Sequence, residues 1–178
     1  MKPSPIRGLV LPLAAALALA LAPSAAAAVD GEGGRSLAEQ IRTFRVKTWH
    51  WQRVMGVQPA PTRYSERRAP LARLVYLRDG WRRRAVRAWR HAHRPPHKAA
   101  WLCIQRHEGA WTDPNAPYWG GLQMDLSFQQ AYGRGLLRRT GTANRWTPLE
   151  QMWTVERAHR SGLGFSPWPS TARSCGLL

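Results

Sequence analysis

The two cysteines of the chain, Cys103 and Cys175, constrain its fold more than any other feature. In an oxidising compartment, an isolated pair of cysteines favours a single disulfide. That bond would close a loop of about 70 residues and stabilise the fold by roughly 4 kcal/mol through restriction of the unfolded chain. It would join the two ends of the C-terminal half, which predicts a folded unit over residues 97–178. Two buried free thiols are the alternative.

The N-terminal segment predicts export into such a compartment. Residues 1–28 begin with positive charge, continue with an apolar run over residues 9–21, and end with Ala26 and Ala28 in an A-x-A cleavage pattern. The apolar run is short for a membrane span and has the order of a signal peptide. We therefore predict a secreted or cell-wall-associated protein, with an uncleaved anchor as the alternative.

Positive charge is unevenly distributed over the rest of the chain. Residues 29–100 contain 17 basic and 5 acidic side chains, whereas residues 101–178 contain 8 and 5. A basic half favours anionic partners. Because of the export signal, we expect anionic wall polymers or a membrane surface, and no nucleic acid, since no recognition motif is present. A solvated basic face without a partner is the alternative.

Residues 29–96 predict a basic region of two helices. Ser36 and Glu39 form a capping box at the start of a helix that reaches about Met55. A second helix is expected over residues 70–91, and we predict that the two pack as an antiparallel hairpin. The expected apolar side of the second helix consists of Leu71, Leu74, Val75, Trp81, Ala85 and Trp89.

Residues 97–178 predict a mainly helical α+β unit. A short helix should end at Glu108, and the glycine-bent strip from Tyr118 to Met124 should form a β-hairpin. We expect Ser127 to cap a helix that ends at Gly133. The sequence Thr147-Pro-Leu-Glu150 predicts another helix, to about Ser161, and the tail from Phe165 is expected to be irregular.

Glu108 is the candidate catalytic residue. It lies on the same predicted helix face as Trp101 and Ile104, so its carboxyl group should be partly desolvated. Desolvation and the negative end of the helix dipole both favour the protonated acid. A protonated carboxyl group beside a groove can donate its proton to the leaving oxygen of a glycosidic bond. The alternative is a structural glutamate paired with Arg106.

Aromatic residues near Glu108 predict a sugar-binding groove, because aromatic faces stack on the apolar faces of sugar rings. Trp111, Tyr118 and Trp119 are the candidates, and Gln123 adds a hydrogen-bond donor and acceptor.

Three other acidic residues are candidates for supporting roles. Asp113 and Asp125 are possible second carboxylates, and Asp125 is included in the predicted substrate site. Turn initiation by Asp113 and helix capping by Asp125 are the structural alternatives. Glu156 is expected either to form a buried ion pair with an arginine or to act as a second acid.

Taken together, these segments resemble the resuscitation-promoting-factor family of actinobacterial wall enzymes. The segments that carry the resemblance are Trp101–Glu108, Gly109, Trp111, Tyr118–Gln123, Thr147–Arg157, Pro167–Pro169 and Cys175. The resemblance covers residues 97–178, under half of the chain. It implies a lysozyme-like transglycosylase fold, with Glu108 as the catalytic residue and the Tyr118–Gln123 strip in the sugar cleft.

The cysteine pattern departs from that family in one respect. The family places a cysteine directly before the catalytic glutamate, whereas this chain has His107 there and Cys103 four residues earlier. A shift of four residues keeps nearly the same helix face, so a bond between Cys103 and Cys175 is still expected, in altered form.

The expected function is cleavage of the β-1,4 bond between N-acetylmuramic acid and N-acetylglucosamine in peptidoglycan. Cleavage can proceed by hydrolysis or by closure of a 1,6-anhydro ring, and the second route needs no other carboxylate. A non-catalytic wall-binding protein is the alternative. We expect a monomer.

No cofactor or metal is expected. His107 and Glu108 begin like the zinc motif H-E-x-x-H, but Trp111 occupies the position of its second histidine. The remaining histidine cluster, His91, His93 and His97, is too loosely spaced to predict a metal site.

Overall fold

A computed structural model describes residues 36–62, 66 and 68–178, which all belong to one compact unit. The predicted signal peptide, residues 1–28, lies outside the described residues. The helices are α1 (Leu37–Val54), α2 (Leu71–Ala92), α3 (Lys98–Glu108), α4 (Leu126–Thr140), α5 (Pro148–Ala158) and α6 (Pro169–Ser174), and the strands are β1 (Tyr118–Trp119) and β2 (Met124–Asp125). The predicted mainly helical α+β fold with a short β-hairpin is confirmed. Within the described part, no helix is long and apolar enough to cross a membrane.

The predicted Ser36 N-cap at the start of α1 is confirmed, which is one half of the predicted capping box. The Ser36 side chain accepts a hydrogen bond from the Glu39 backbone N–H at 3.3 Å. Along the helix, Leu37 and Ile41 are buried, and Thr48 is buried too. The Thr48 hydroxyl donates to the Phe44 carbonyl at 2.8 Å, so a polar side chain can occupy this apolar face without an unpaired group.

The apolar face of α2 differs from the prediction. Leu71 and Trp89 are 53% and 48% exposed. The buried residues are Leu77, Trp81, Ala85, Ala88 and Ala92. Their spacing of three and four residues follows one helix face, and the alanines allow neighbouring helices to approach closely. Trp81 and Ala85 are thus confirmed on the buried face, whereas Leu71 and Trp89 lie outside it.

The predicted antiparallel arrangement of α1 and α2 is also wrong. Ile41, in the first half of α1, packs in one cluster with Leu77 and Trp81, in the first half of α2. At the other end, the rings of Trp51 and His93 lie 4.8 Å apart. The first halves of the two helices pack together, and so do their C-terminal ends. The two helices therefore run in the same direction.

The connector between the helices makes this parallel arrangement possible. Trp49 donates its indole N–H to the Ala60 carbonyl at 2.8 Å, and Arg45 forms a salt bridge with Glu66. Successive connector residues thus contact progressively earlier residues of α1. The described residues of the connector therefore lie back along α1, and the first half of α2 packs beside the first half of that helix.

The helical pair packs directly on α5. Trp153 forms one buried cluster with Val54, Met55, Ala88 and Ala92. Its indole N–H also donates to the Ala92 carbonyl at 2.8 Å. The helical pair and the C-terminal half therefore share a hydrophobic core within the single compact unit.

Arg157 forms a second connection between α5 and α1. Its guanidinium donates to the carbonyls of Tyr132, at 2.6 Å, and Val54, at 3.3 Å. Burial, followed by repulsion from Arg160, lowers the pKa of Arg157 to about 10. The carbonyl dipoles provide the polar surroundings that a largely buried cation requires.

The main core lies in the C-terminal half. Its buried members are Trp101, Ile104, Leu122, Met124, Leu136, Ala143, Trp146, Met152, Val155, Trp168 and Ala172. The β-hairpin lies against this core, with Tyr118 paired to Asp125 and Trp119 to Met124. The predicted inward face of α3 is confirmed, because Trp101 and Ile104 are fully buried.

Helix α4 differs from the prediction at both ends. Its N-cap is Asp125, whose side chain accepts from the Phe128 N–H, so Ser127 is inside the helix. Gly133 kinks the helix without ending it, and the helix continues to Thr140. A Cβ on Gly133 would lie 2.5 Å from Trp146 Cη2, which indicates that this glycine allows close packing of the Trp146 ring.

The last two helices confirm one prediction and correct two. At α5, Thr147 and Glu150 form both hydrogen bonds of the capping box. That helix ends at Ala158, before a wider π-helical turn, earlier than the predicted end near Ser161. The tail was expected to be irregular, but Pro169 begins the short helix α6.

Candidate active site

Glu108 is the last residue of α3. Upstream, Trp101 and Ile104 anchor the helix in the core. Just beyond it, the Gln105 side chain donates to the Gly109 carbonyl at 2.7 Å and fixes the path of the chain out of the helix. A half-buried carboxyl group is thus placed at the surface end of a rigid element.

Glu108 opens into a cavity of about 240 Å³. The lining residues are Glu108, Tyr118, Gln123, Pro167, Trp168, Pro169 and Ser170. Three residues predicted from the sequence, Glu108, Tyr118 and Gln123, therefore meet at one site. The volume is below the roughly 300–1,000 Å³ of ligand pockets that enclose a whole small molecule. It suits one ring of a longer chain that extends over the surface.

The floor of the cavity is formed by Trp168. Its ring is buried, and its indole N–H donates to the Leu122 carbonyl at 2.8 Å. The same ring lies 5.4 Å from that of Trp101. These contacts fix the distance between the hairpin loop, α3 and the C-terminal segment, and so set the width of the cavity.

Helix α6 supplies a direct partner for the candidate acid. Thr171 donates its hydroxyl hydrogen to Glu108 Oε1 at 2.8 Å. The predicted disulfide between Cys103 and Cys175 is present, with their Cα atoms 6.1 Å apart, and it joins α3 to the end of α6. The disulfide therefore holds in place the helix that carries the threonine.

Gln123 is fixed by contacts within the hairpin loop. Its Nε2 donates to Asp113 Oδ2 at 2.9 Å and to the Gly120 carbonyl at 3.0 Å. Its backbone has a positive φ of 45°, a conformation that is uncommon outside glycine. Because both donors of the amide group are used, the side-chain oxygen is left as an acceptor at the cavity.

Asp113 supports this loop and does not line the cavity. One of its carboxylate oxygens accepts from Gln123, the other from the Asn115 backbone N–H at 3.1 Å. Its own carbonyl accepts from the Gly120 N–H at 2.9 Å. The carboxylate is thus occupied by turn contacts, as in the structural alternative predicted for it.

The other predicted groove aromatics lie differently from Tyr118. That residue is 49% exposed and lines the cavity, whereas Trp111 and Trp119 are half-buried and pack on the main core. The ring of Trp111 also lies against Gly121, where a Cβ would approach it to 3.0 Å. Trp111 and Trp119 therefore shape the loop from beneath.

Asp125, which was placed in the predicted substrate site, caps α4. Its Oδ1 accepts from the Phe128 N–H and the Ser127 hydroxyl, both at 2.7 Å. These two hydrogen bonds hold the pKa of Asp125 below its usual value. The side chain is not among the residues that line the cavity.

Glu156 is fully buried, but its partners are not arginines, so the predicted arginine pair is wrong. Oε1 accepts from the His97 backbone N–H and from Trp101 Nε1, each at 2.8 Å. Oε2 lies 3.2 Å from His97 Nδ1. The carboxylate thus accepts hydrogen bonds from the N-cap residue of α3 and from Trp101, which anchors the helix in the core. These bonds position the helix that ends at Glu108.

The imidazole ring of His159 stacks on that of His97. The two imidazole rings lie 4.0 Å apart. Burial, and then repulsion from His97, lower the pKa of His159. The pair thus lies close to the Glu156 carboxylate, which His97 contacts near the N-terminus of α3.

Gln151 was not singled out from the sequence. It is fully buried in α5, and its Nε2 donates to the carbonyls of Trp111, at 2.8 Å, and Ala143, at 2.9 Å. A Cβ on Gly120 would lie 2.5 Å from its Oε1, and Gly120 has φ +75°. The signal for this role was a polar residue on the apolar side of a predicted helix.

The described residues contain one group that resembles a metal site. Ligand atoms of Cys103, His107 and Cys175 lie within 4.8 Å of one another. Both sulfurs are bonded to each other in the disulfide, so in this state only the imidazole of His107 could coordinate an ion.

Comparison with known proteins leaves the family resemblance a prediction. No protein-family model matches the chain, and neither a curated protein nor a solved structure gives a significant match.

Proposed function

We propose that this protein cleaves the glycan strands of peptidoglycan, with Glu108 acting first as a general acid and then as a general base. The observation that carries the proposal is that the Glu108 carboxyl group opens into a cavity beside Tyr118 and Gln123. A proton donor, an aromatic ring and an amide acceptor in one open cavity suit an amino-sugar substrate.

Each residue of the cavity has a role in this proposal. The exposed ring of Tyr118 stacks on the apolar face of a sugar. The free oxygen of Gln123 accepts the N–H of an N-acetyl group, since its donors are engaged within the loop. The open cavity accommodates one ring of a strand whose neighbouring rings continue over the surface.

The proposed reaction uses a single carboxyl group. Glu108 donates its proton to the glycosidic oxygen as the bond between that oxygen and C1 of the muramic ring breaks. The 6-hydroxyl of the same ring then bonds to C1, and its proton passes to the Glu108 carboxylate. The acid is regenerated, and the new strand end is a 1,6-anhydro sugar.

The surroundings of the other acidic residues support this route over hydrolysis assisted by a second carboxylate. Asp113 is held by the hairpin loop, Asp125 caps α4, Glu150 caps α5, and Glu156 is buried beneath α3. Within the described part of the chain, Glu108 is the only carboxylate that lines this cavity.

The test compares the wild-type protein with Glu108→Gln on purified peptidoglycan, with product masses as the readout. General acid catalysis contributes about 10²- to 10⁴-fold, so the variant should lose activity by that order. Glu39→Gln, at the exposed start of α1, is the matched control and should keep full activity.

Two results would contradict the proposal. One is full activity of Glu108→Gln. The other is binding of the wild-type protein to wall material without any cleavage product, which would favour a wall-binding protein. Product masses also separate the routes, because an anhydro end is lighter than a hydrolysed end by the mass of one water.

A further inference from the structure

A second large concavity lies on α2, outside the candidate active site. It has a volume of about 600 Å³. Its lining residues, which we call the arginine groove, are Arg82, Arg83, Val86, Arg87, Arg90, His91 and Arg94. The residues run from the middle of the helix to just past its end, so the cations form one continuous strip.

Among the residues that the structure describes, none is an anionic partner of the arginines in this groove. In the described part of the chain, the ion pairs are Arg45–Glu66, Arg78–Asp79 and His97–Glu156, and none includes a groove residue. The only acidic residue of α2, Asp79, is engaged by its neighbour Arg78. Five mutually repelling guanidinium groups on one strip favour binding of an external polyanion.

A membrane surface does not fit this groove. An interfacial helix binds a bilayer by inserting an apolar face next to its basic face. The main apolar face of α2 is already buried, with Leu77 and Trp81 against α1 and Ala88 and Ala92 against α1 and α5. Among the described residues that line the groove, Val86 is the only apolar one. The groove is also concave, whereas a bilayer is broad and nearly flat.

Single-stranded nucleic acid fits poorly as well. Proteins that bind it combine positive charge with aromatic rings on which successive bases stack. None of the described residues that line the groove is a phenylalanine, tyrosine or tryptophan. The nearby exposed Trp89 is stacked with His93, with ring centroids 4.4 Å apart. The groove therefore offers contacts to phosphates but no platform for bases.

We propose that the arginine groove binds a flexible linear phosphodiester polymer without bases, of the poly(glycerol phosphate) type. The span from Arg83 to Arg94 is about 16 Å along the helix, enough for several successive phosphates. Guanidinium groups bind phosphate oxygens in paired hydrogen bonds. The proposal depends on the proposed function only in placing such a polymer at the wall; the groove itself is tested separately.

The test measures binding of synthetic poly(glycerol phosphate) by titration calorimetry at several salt concentrations. The variant combines Arg83→Gln, Arg87→Gln and Arg90→Gln, all exposed on α2. The matched control combines Arg134→Gln, Arg138→Gln and Arg139→Gln, all exposed on α4. Both variants lose three positive charges. A difference in their affinity for the polymer therefore shows that the location of the arginines matters, and not only the net charge.

We expect a salt dependence with a logarithmic slope of roughly −3 for the wild-type protein, if up to five arginines bind phosphates. The α2 variant should bind at least about tenfold more weakly and show a shallower slope, whereas the α4 variant should bind like the wild type. Cleavage of a neutral peptidoglycan fragment should be unchanged in the α2 variant, and Glu108→Gln should bind the polymer normally. These outcomes separate the two proposals.

Three results would overturn the groove proposal. Equally weakened polymer binding in the α2 and α4 variants would show that the polymer is attracted by the net charge of the protein alone. Tighter binding to vesicles that contain phosphatidylglycerol would indicate a membrane surface. Tighter binding to oligothymidylate than to poly(glycerol phosphate) would indicate nucleic acid.

Discussion

The Thr171 hydroxyl donates to Glu108 Oε1 at 2.8 Å, across 63 residues of chain. It is the only hydrogen bond to the Glu108 side chain among the residues that the structure describes. It fixes the orientation of the carboxyl group, and Oε2 has no partner within that described part of the chain. The group that we propose gives up and takes back a proton is thus held at one oxygen only.

Thr171→Val should lower activity roughly tenfold or more. It removes one hydrogen bond to the candidate catalytic group, and such bonds are worth about 1.5–3 kcal/mol. The loss should appear mainly in kcat, because the threonine orients Glu108 and does not line the cavity. Kinetics on soluble peptidoglycan fragments measure it. Thr171→Ser keeps the hydroxyl and should restore most activity; failure to do so would contradict the orienting role.

Loss of the disulfide should destabilise the protein and lower activity together. The bond links residues 72 apart, and restriction of a loop that long stabilises a fold by about 4 kcal/mol. Cys103→Ser with Cys175→Ser should therefore lower the Tm measured by circular dichroism. Below that Tm, activity should also fall, since α6 carries Thr171. Activity equal to wild type in a folded double variant would contradict the coupling of the disulfide to the site.

Gly133→Ala should destabilise the fold by about 1–3 kcal/mol, because an added methyl group would overlap the Trp146 ring. Gly135→Ala, two residues later in α4, is the matched control. Its nearest neighbour would be Arg139 Nη1 at 3.9 Å, so it should be neutral or slightly stabilising. Urea unfolding of both variants measures the difference. Equal free energies of unfolding for the two variants would show that the site at Gly133 can accommodate a methyl group.

Protein stability should decline as the pH falls through the range in which histidines titrate. The pKa of His159 is lowered in the folded protein, so the unfolded chain takes up this proton first. The associated stability is complete above the ordinary value of 6.5 and is lost progressively below it. His159→Phe keeps an aromatic ring and should show a smaller fall in Tm between pH 7.5 and 5.5. His50→Phe, on the exposed side of α1, is the control and should behave like wild type.

Features encoded by neighbouring residues could be predicted from the sequence. Ser36 and Thr147 cap their helices because each hydrogen bond is made within four residues of chain. The inward face of α3 followed from the spacing of Trp101 and Ile104. Periodicity was insufficient for α2, where Trp89 is exposed: small alanines pack closely enough to exclude larger side chains from the contact face.

The candidate site was predictable only in part, for a similar reason. Tyr118 and Gln123 were singled out because glycine turns and residue chemistry mark their strip locally. Thr171 could not be found, since its role depends on where the C-terminal segment returns to α3. The parallel course of α1 and α2 likewise depends on connector contacts such as Trp49 with Ala60, which no helical periodicity encodes.

Two side chains of α5, Trp153 and Arg157, connect the helical pair of α1 and α2 to the C-terminal half. Trp153 and Arg157 each donate to a carbonyl at the end of a preceding helix, at Ala92 and Val54. A fragment cut before residue 97 would leave an indole and a guanidinium without these acceptors and would uncover the surface on which α1 and α2 rest. We therefore expect residues 97–178 alone to be less stable than the full chain, so the proposed activity should be measured with the basic helices attached.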